Sequence, residues 1–126
     1  MKDIENREDI QFLIDTFYKD VVKDEKIGEF FTTVVALDWQ KHLPIMYDFW
    51  ESMLLGAGKY RGNPMLKHIA LSQKKPLKPD HFERWLSLWA STIHSHFQGK
   101  KAEEAISKAH QISGLMQFKI AGQNPR

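Results

Sequence analysis

Residues 65–71 read Met65-Leu66-Lys67-His68-Ile69-Ala70-Leu71, a short apolar run with one histidine in it. Turn-forming residues precede it, in Gly56-Ala57-Gly58 and in Lys59-Tyr60-Arg61-Gly62-Asn63-Pro64. A basic, proline-punctuated loop follows, from Ser72 to Pro79. Pro64 suits the first position of a helix, where its missing N–H costs nothing. Seven residues do not hold a helix together by propensity, because nucleation is unfavourable until several bonds have formed. Something outside the backbone must pin this segment. Packing is one candidate, and a bond from His68 to a metal is the other.

The sequence around it is helical in pattern. Between about Asn6 and Lys23 the apolar residues Ile10, Leu13, Ile14, Phe17, Tyr18, Val21 and Val22 recur at three- and four-residue steps, one face of an amphipathic helix. Asn6, with Asp9 after it, marks the start. Tyr18 lies in the apolar stripe, so its hydroxyl needs an interior partner. A backbone carbonyl would satisfy it, as would a bound ligand. Ile27-Gly28-Glu29-Phe30-Phe31 reads as a short helical turn ending in two aromatics, one of them aimed at the core. Trp39, His42, Leu43, Met46, Phe49, Trp50, Met53 and Leu54 share another face, with Asp38 as cap. Pro44 removes a backbone donor there. The expected form is an irregular turn over Trp39–His42 and a regular helix from about Leu43 to Leu55 with Pro44 in its first turn.

Asp80-His81-Phe82-Glu83 has the form of a capping box, with Asp80 as cap and Glu83 reaching back. Phe82, Trp85, Leu86, Trp89, Ile93 and Phe97 then form a stripe that Gly99 breaks. Ala102, Ala105, Ile106, Ala109, Ile112, Ser113, Met116 and Ile120 define the last helix. Its small residues predict close helix contact near its start, with Ile112 and Met116 as the bulkiest inner groups. Gly122 to Arg126 reads as a frayed polar tail. No repeat or β-alternation appears.

Composition narrows the function. A length of 126 residues predicts one domain spanning 1–126, with 42% hydrophobic and 27% charged residues, as in soluble globular proteins. The net charge is only +2 and the signs are interspersed, which predicts neither nucleic acid nor an anionic membrane as partner. The acidic N-terminal stretch predicts no export, and no apolar run approaches the ~20 residues of a membrane span, so a cytoplasmic location is expected. There is no cysteine, which excludes disulfides, thiolate zinc sites, iron–sulfur clusters and covalent c-type haem. Four Trp, eight Phe and six His in a small helical chain suit the lining of a pocket for a large flat ligand, although aromatics fill ordinary cores too.

No nucleophile elbow, P-loop, dinucleotide fingerprint or H-E-x-x-H motif is present. His94 and His96 stand two apart on a helix and point in different directions. His110 falls on a polar face and His81 in a first turn, expected to be exposed. His42 and His68 remain as inward-facing candidates, 26 residues apart. A lone inward histidine is more often a satisfied core residue than a ligand. Zinc needs four N, S or O ligands, and no carboxylate lies on these stripes. Haem iron needs a single protein ligand, because the porphyrin supplies four in-plane positions, and it fits this set better.

One ordered set covers nearly the whole chain: Phe17-Tyr18, Ile27-Gly28-x-Phe30-Phe31, Trp39-x-x-His42, Phe49-Trp50, Gly58-x-Tyr60-x-Gly62-x-Pro64-x-x-x-His68 and His81-Phe82-x-x-Trp85-Leu86. It resembles a truncated haemoglobin of group III. The resemblance implies an all-α, two-over-two helical sandwich around haem b. It matches His68 to the proximal iron ligand, Tyr18, His42 and Trp85 to the polar distal positions, and Phe31 to the ring that wedges the porphyrin. Met46 and Trp50 match the pocket wall. Tyr60, Arg61, Lys74 and Lys75 are candidates for the haem propionates by position and chemistry, with plain surface charge as the alternative. Met116, a bulky inner group of the last helix, joins the cofactor-binding candidates.

The function expected from this set is binding of O2, NO and CO at a five-coordinate iron, with O2 released slowly. Its use would be detoxification of nitric oxide or peroxide by dioxygenase or peroxidase-like chemistry, with a reductase as partner and His42 as a gate. The alternative is a non-catalytic O2 carrier or gas sensor. A monomer or weak dimer is expected. A helical interaction module without haem explains each stripe separately but leaves the inward His–Tyr–Trp set unexplained.

Overall fold

The computed structural model describes residues 1–30, 39–56 and 77–123, with side chains through Ile120. The described residues contain four helices and no strand: α1 (Arg7–Val21), α2 (Trp39–Leu55), α3 (Pro79–His96) and α4 (Lys100–Gln123). The short segment around His68 lies outside them, as do Phe31, Tyr60, Arg61, Lys74 and Lys75.

α1 forms where its apolar spacing predicts. Asn6 caps it, its side-chain oxygen accepting the Asp9 N–H at 3.0 Å. The Asp9 carboxylate accepts the Glu5 N–H at 2.9 Å and lies 2.8 Å from Lys2 Nζ. Ile10, Leu13, Ile14, Phe17 and Val21 are buried and build the core, while Tyr18 is half-buried against it. After α1 the Asp24 carboxylate accepts the N–H groups of Lys26 and Ile27 and holds the turn. Gly28 fits there because a Cβ would stand 2.8 Å from the Val22 carbonyl oxygen. Phe30 is the ring of its pair seen to enter the core.

Two helix starts differ from expectation. α2 begins at Trp39, so Pro44 is its sixth residue, beyond the first turn, and Trp39–His42 is helical. The proline forfeits the bond back to the Gln40 carbonyl. Ring packing of Trp39 and His42 against Tyr18 offsets this loss and holds the first turn on α1. α3 begins at Pro79 with Lys78 as cap, two residues ahead of the expected Asp80 cap. Proline is preorganised for the first helical position. The reach-back acceptor is then His81 Nδ1, which takes the Lys78 N–H at 3.0 Å, in place of Glu83. His81 is half-buried, edge-on to Phe30 at 4.9 Å between ring centres. α4 runs on to Gln123, through part of the expected frayed tail.

The helices form two antiparallel pairs. Partners on α2 fall in number as those on α1 rise: Arg7 bonds Asp48 and Glu51, and Tyr18 meets His42. Between α3 and α4, Trp89 bonds Ala105 and His94 meets Glu103. α1 also packs on α3, and α2 touches α4, which gives the two-over-two arrangement. Ala102, Ala105 and Ala109 are fully buried, so α4 approaches α3 closely, as its small residues predict. No Cα of α2 comes within 8 Å of α3, and stacked tryptophans span the gap. Among the described residues no helix is long and apolar enough to cross a membrane.

Candidate functional site

Two of the three polar residues singled out in the sequence, Tyr18 and His42, meet on the α1–α2 seam, and the third, Trp85, stands on α3. Tyr18 Oη and His42 Nε2 lie 3.2 Å apart. Trp39, one turn before His42, completes a triangle of edge-on rings, 5.2 Å from Tyr18 and 5.5 Å from His42 between centres. The sequence reading placed Trp39 on the same stripe but gave it no part in a site. Its three-residue step from His42 is the signal that places both rings on one face. Burial pushes the Tyr18 phenol above its ordinary value, so the group stays a protonated donor at neutral pH.

The two tryptophans of α3 divide the work. Trp89 is buried, its indole N–H donates to the Ala105 carbonyl at 3.1 Å, and Trp50 stacks on it at 4.6 Å. Trp85, one turn earlier, lies parallel to Trp89 within 4° and edge-on to Phe17. It is half-buried, and its indole N–H bonds to no described residue. Trp89 thus fixes the plane of its neighbour, and Trp85 keeps a donor to offer.

The other candidates are apolar. Met46 is half-buried against the main core. Trp50 is a core residue, only 4% exposed. Met116 sits in a separate buried cluster with Phe82 and Ile120, flanked by Leu77 and Ile112. The structure therefore brings Tyr18, His42 and Trp39 together and places Met116 apart from them.

A second polar set lies further along the same seam and was not anticipated. The Tyr47 hydroxyl donates to the Asp15 carboxylate, and the Arg7 guanidinium lies 5.8 Å from the Tyr47 ring centre. Burial, then the bond to Asp15, push the Tyr47 phenol up to about 12. Tyr47 stands off the apolar stripe by which α2 was read, so periodicity carried no signal for it.

The described donor set fits haem with a gaseous ligand. It offers neutral O–H and N–H donors among aromatic rings, with no described carboxylate hydrogen-bonded to Tyr18 or Trp85. Comparisons with known proteins agree. The sequence matches the family model for bacterial-like globins over residues 2–118. It is 30% identical over 115 residues to the group 3 truncated hemoglobin ctb of Campylobacter jejuni, covering 89% of this chain and 88% of that protein. The fold superposes on the crystal structure of the group III truncated hemoglobin from Campylobacter jejuni with a TM-score of 0.84 and 29% identity, covering 100% of both chains. The chain therefore belongs to the bacterial-like globins and, among them, to the group III truncated haemoglobins, proteins that bind haem and small gaseous ligands.

Proposed function

We propose that this globin uses b-type haem to hold O2 tightly and turn it over with a second small molecule, in the cytoplasm and with a reductase as electron donor. The observation that carries the reading is the Tyr18–His42 contact at 3.2 Å. His68 is the iron ligand in this proposal. Its second ring nitrogen would donate to a backbone carbonyl or water, and that bond would set the tautomer. Phe31 would wedge the porphyrin, Met46 and Trp50 would form the wall of its pocket, Met116 would be a further contact, and Tyr60, Arg61, Lys74 and Lys75 would be the propionate partners. When bound, haem supplies a ferrous iron that takes up diatomic gases and moves electron density onto them.

The contact has two proton arrangements, and they differ in what Tyr18 can do. With His42 protonated on Nδ1 alone, Nε2 is an acceptor and the Tyr18 hydroxyl donates to it. With Nε2 protonated, His42 donates to Tyr18 Oη, and the phenol hydrogen is the one that can be directed at an acceptor in the pocket. The proton on His42 thus decides whether Tyr18 donates to the gas. The Trp85 indole N–H is the second donor. A hydrogen bond to a charge-bearing acceptor is worth about 1.5–3 kcal/mol, which slows release roughly 10- to 100-fold. Two such donors oppose delivery and favour retention until a second molecule arrives. Nitric oxide is one such molecule: NO and O2 combine to nitrate with one electron from the reductase. Peroxide would instead be handled by the ferric form, reduced to two waters with two electrons from the reductase and two protons from solvent.

Absorption spectra of the ferric, ferrous and CO-loaded protein test the haem reading, with His68→Ala as control. A strong Soret band that is lost or altered in His68→Ala is the expected result. A colourless protein that fails to take up hemin overturns it. Slow O2 release with rapid NO consumption by the O2-loaded protein supports turnover. Fast release without consumption makes the protein a carrier or sensor instead.

A further inference from the structure

We propose that Tyr47, through its hydrogen bond to Asp15, holds the His42 end of α2 at the spacing from Tyr18 that gas retention requires, and so is a positioning residue for gas exchange. The proposal rests on the assignment of Tyr18 and His42 to the gas pocket. Its basis is the order of contacts along the α1–α2 seam. At one end Arg7 bonds Glu51 at 2.6 Å and Asp48 at 2.9 Å. At the other end Tyr18 meets His42 at 3.2 Å. Asp15–Tyr47 is the rung between them. Asp15 precedes Tyr18 by three residues, so both lie on one side of α1.

Two features give this rung leverage on His42. The first is Pro44, which stands between His42 and Tyr47 and removes the backbone bond to Gln40. The first turn of α2 therefore depends on side-chain anchors for its orientation. Among the described hydrogen bonds between side chains of α1 and α2, Asp15–Tyr47 is the one nearest His42 on the C-terminal side of Pro44. The second is the strength of the bond. A phenol donating to a carboxylate is charge-assisted, about twice as strong as a neutral pair. Both partners are half-buried, which limits screening. The Arg7 guanidinium lies over the Tyr47 ring, 5.8 Å from its centre. At 3.2 Å the Tyr18–His42 contact is already at the long end of useful hydrogen bonds, so a small drift of α2 breaks it.

The test uses the haem-loaded protein as wild type, Tyr47→Phe, Tyr18→Phe and the double variant, with Asp15→Asn as a second way to weaken the rung. Tyr47→Phe keeps the ring and its Arg7 contact and removes only the hydroxyl. The expected result is O2 dissociation faster by about 3- to 10-fold in Tyr47→Phe, the size of a coupling carried through a backbone shift, and slower release overturns the proposal. The C–O stretching frequency of the CO-loaded protein should move in the same direction as in Tyr18→Phe. In the Tyr18→Phe background the Tyr47 change should add nothing. Amide hydrogen exchange at Leu43 and Met46 should quicken while α3 and α4 stay unchanged. Asp15→Asn should reproduce these changes at smaller size. A clear effect of Tyr18→Phe with none from Tyr47→Phe overturns this proposal alone, as does a Tyr47 effect that adds fully to that of Tyr18. No effect from Tyr18→Phe removes this proposal together with the assignment of Tyr18 as a donor to the gas, on which it rests.

Discussion

Trp85 and Trp89 share one stripe of one helix, yet their indole donors have opposite fates. The difference is an acceptor: α4 presents the Ala105 carbonyl to Trp89, and no described group is bonded to Trp85. Replacing Trp89 with Phe removes that bond and part of the stack with Trp50. We expect a loss of about 2–4 kcal/mol of stability, read as a lower urea midpoint, with the absorption spectrum retained. Phe at Tyr18 should instead leave stability nearly unchanged and speed O2 dissociation roughly 10- to 100-fold, measured by stopped flow. An unchanged rate would make Trp85 or His42 the main donor. Tyr18 and His42 were legible as inward polar residues because each sits on an apolar stripe. Trp39 was legible only as core, and Tyr47 and Asp15 not at all, since which side chains meet across a seam depends on the docking of two helices.

Helix ends show what local pattern decides and what it leaves to packing. Asn6 and Gly56 were readable because each acts within its own turn; Gly56 takes φ +72° after α2, where a side chain would be strained. The start of α3 was not, because Pro79 and the ring nitrogen of His81 compete with the Asp80–Glu83 pattern and prevail. The start of α4 lay further out of reach. Its N–H groups at Lys101 and Ala102 both donate to Asp3 at 2.8 Å, across almost the whole chain. Gly99, at φ +142°, leaves room for that carboxylate, since a Cβ would stand 2.6 Å from Asp3 Cγ. Asp3→Ala should cost about 1–2 kcal/mol, the upper range for loss of a helix cap, seen as a lower urea midpoint at constant slope. A midpoint within error of wild type would mean that water caps α4 equally well.

The same carboxylates govern the response of the whole molecule to acid. Burial by itself would raise Asp3, Asp9 and Asp24 above 3.8. Bonds from Lys101, Ile4 and Ala102 to Asp3, from Lys2 and Glu5 to Asp9, and from Arg84, Ile27 and Lys26 to Asp24 outweigh it and hold all three below that value. Each therefore binds its proton more weakly when folded. The stability they contribute is complete above the unfolded value near 4 and is lost as pH falls through the lowered folded values. Thermal midpoints should stay level from about pH 7 to 5 and fall below about pH 4; a midpoint that rises on acidification would contradict this. The two-over-two arrangement was legible from four stripes and the resemblance, because helix number, order and inward faces are written in periodicity. The crossing of Trp50 and Trp89 was not, because it depends on how far α2 and α3 stand apart. The bond from Asp3 to α4 also sets a schedule for the newborn chain. Ribosomes add about 5–20 residues per second, so Asp3 waits roughly 5–20 s before Ala102 is made. Until then residues 2–5 are tied to α1 through the bonds of Lys2 and Glu5 to Asp9, and Asp3 has no helix to cap. Chaperones that read apolar segments of a nascent chain therefore have a window on the stretch around Ile4, and it closes when α4 begins to form.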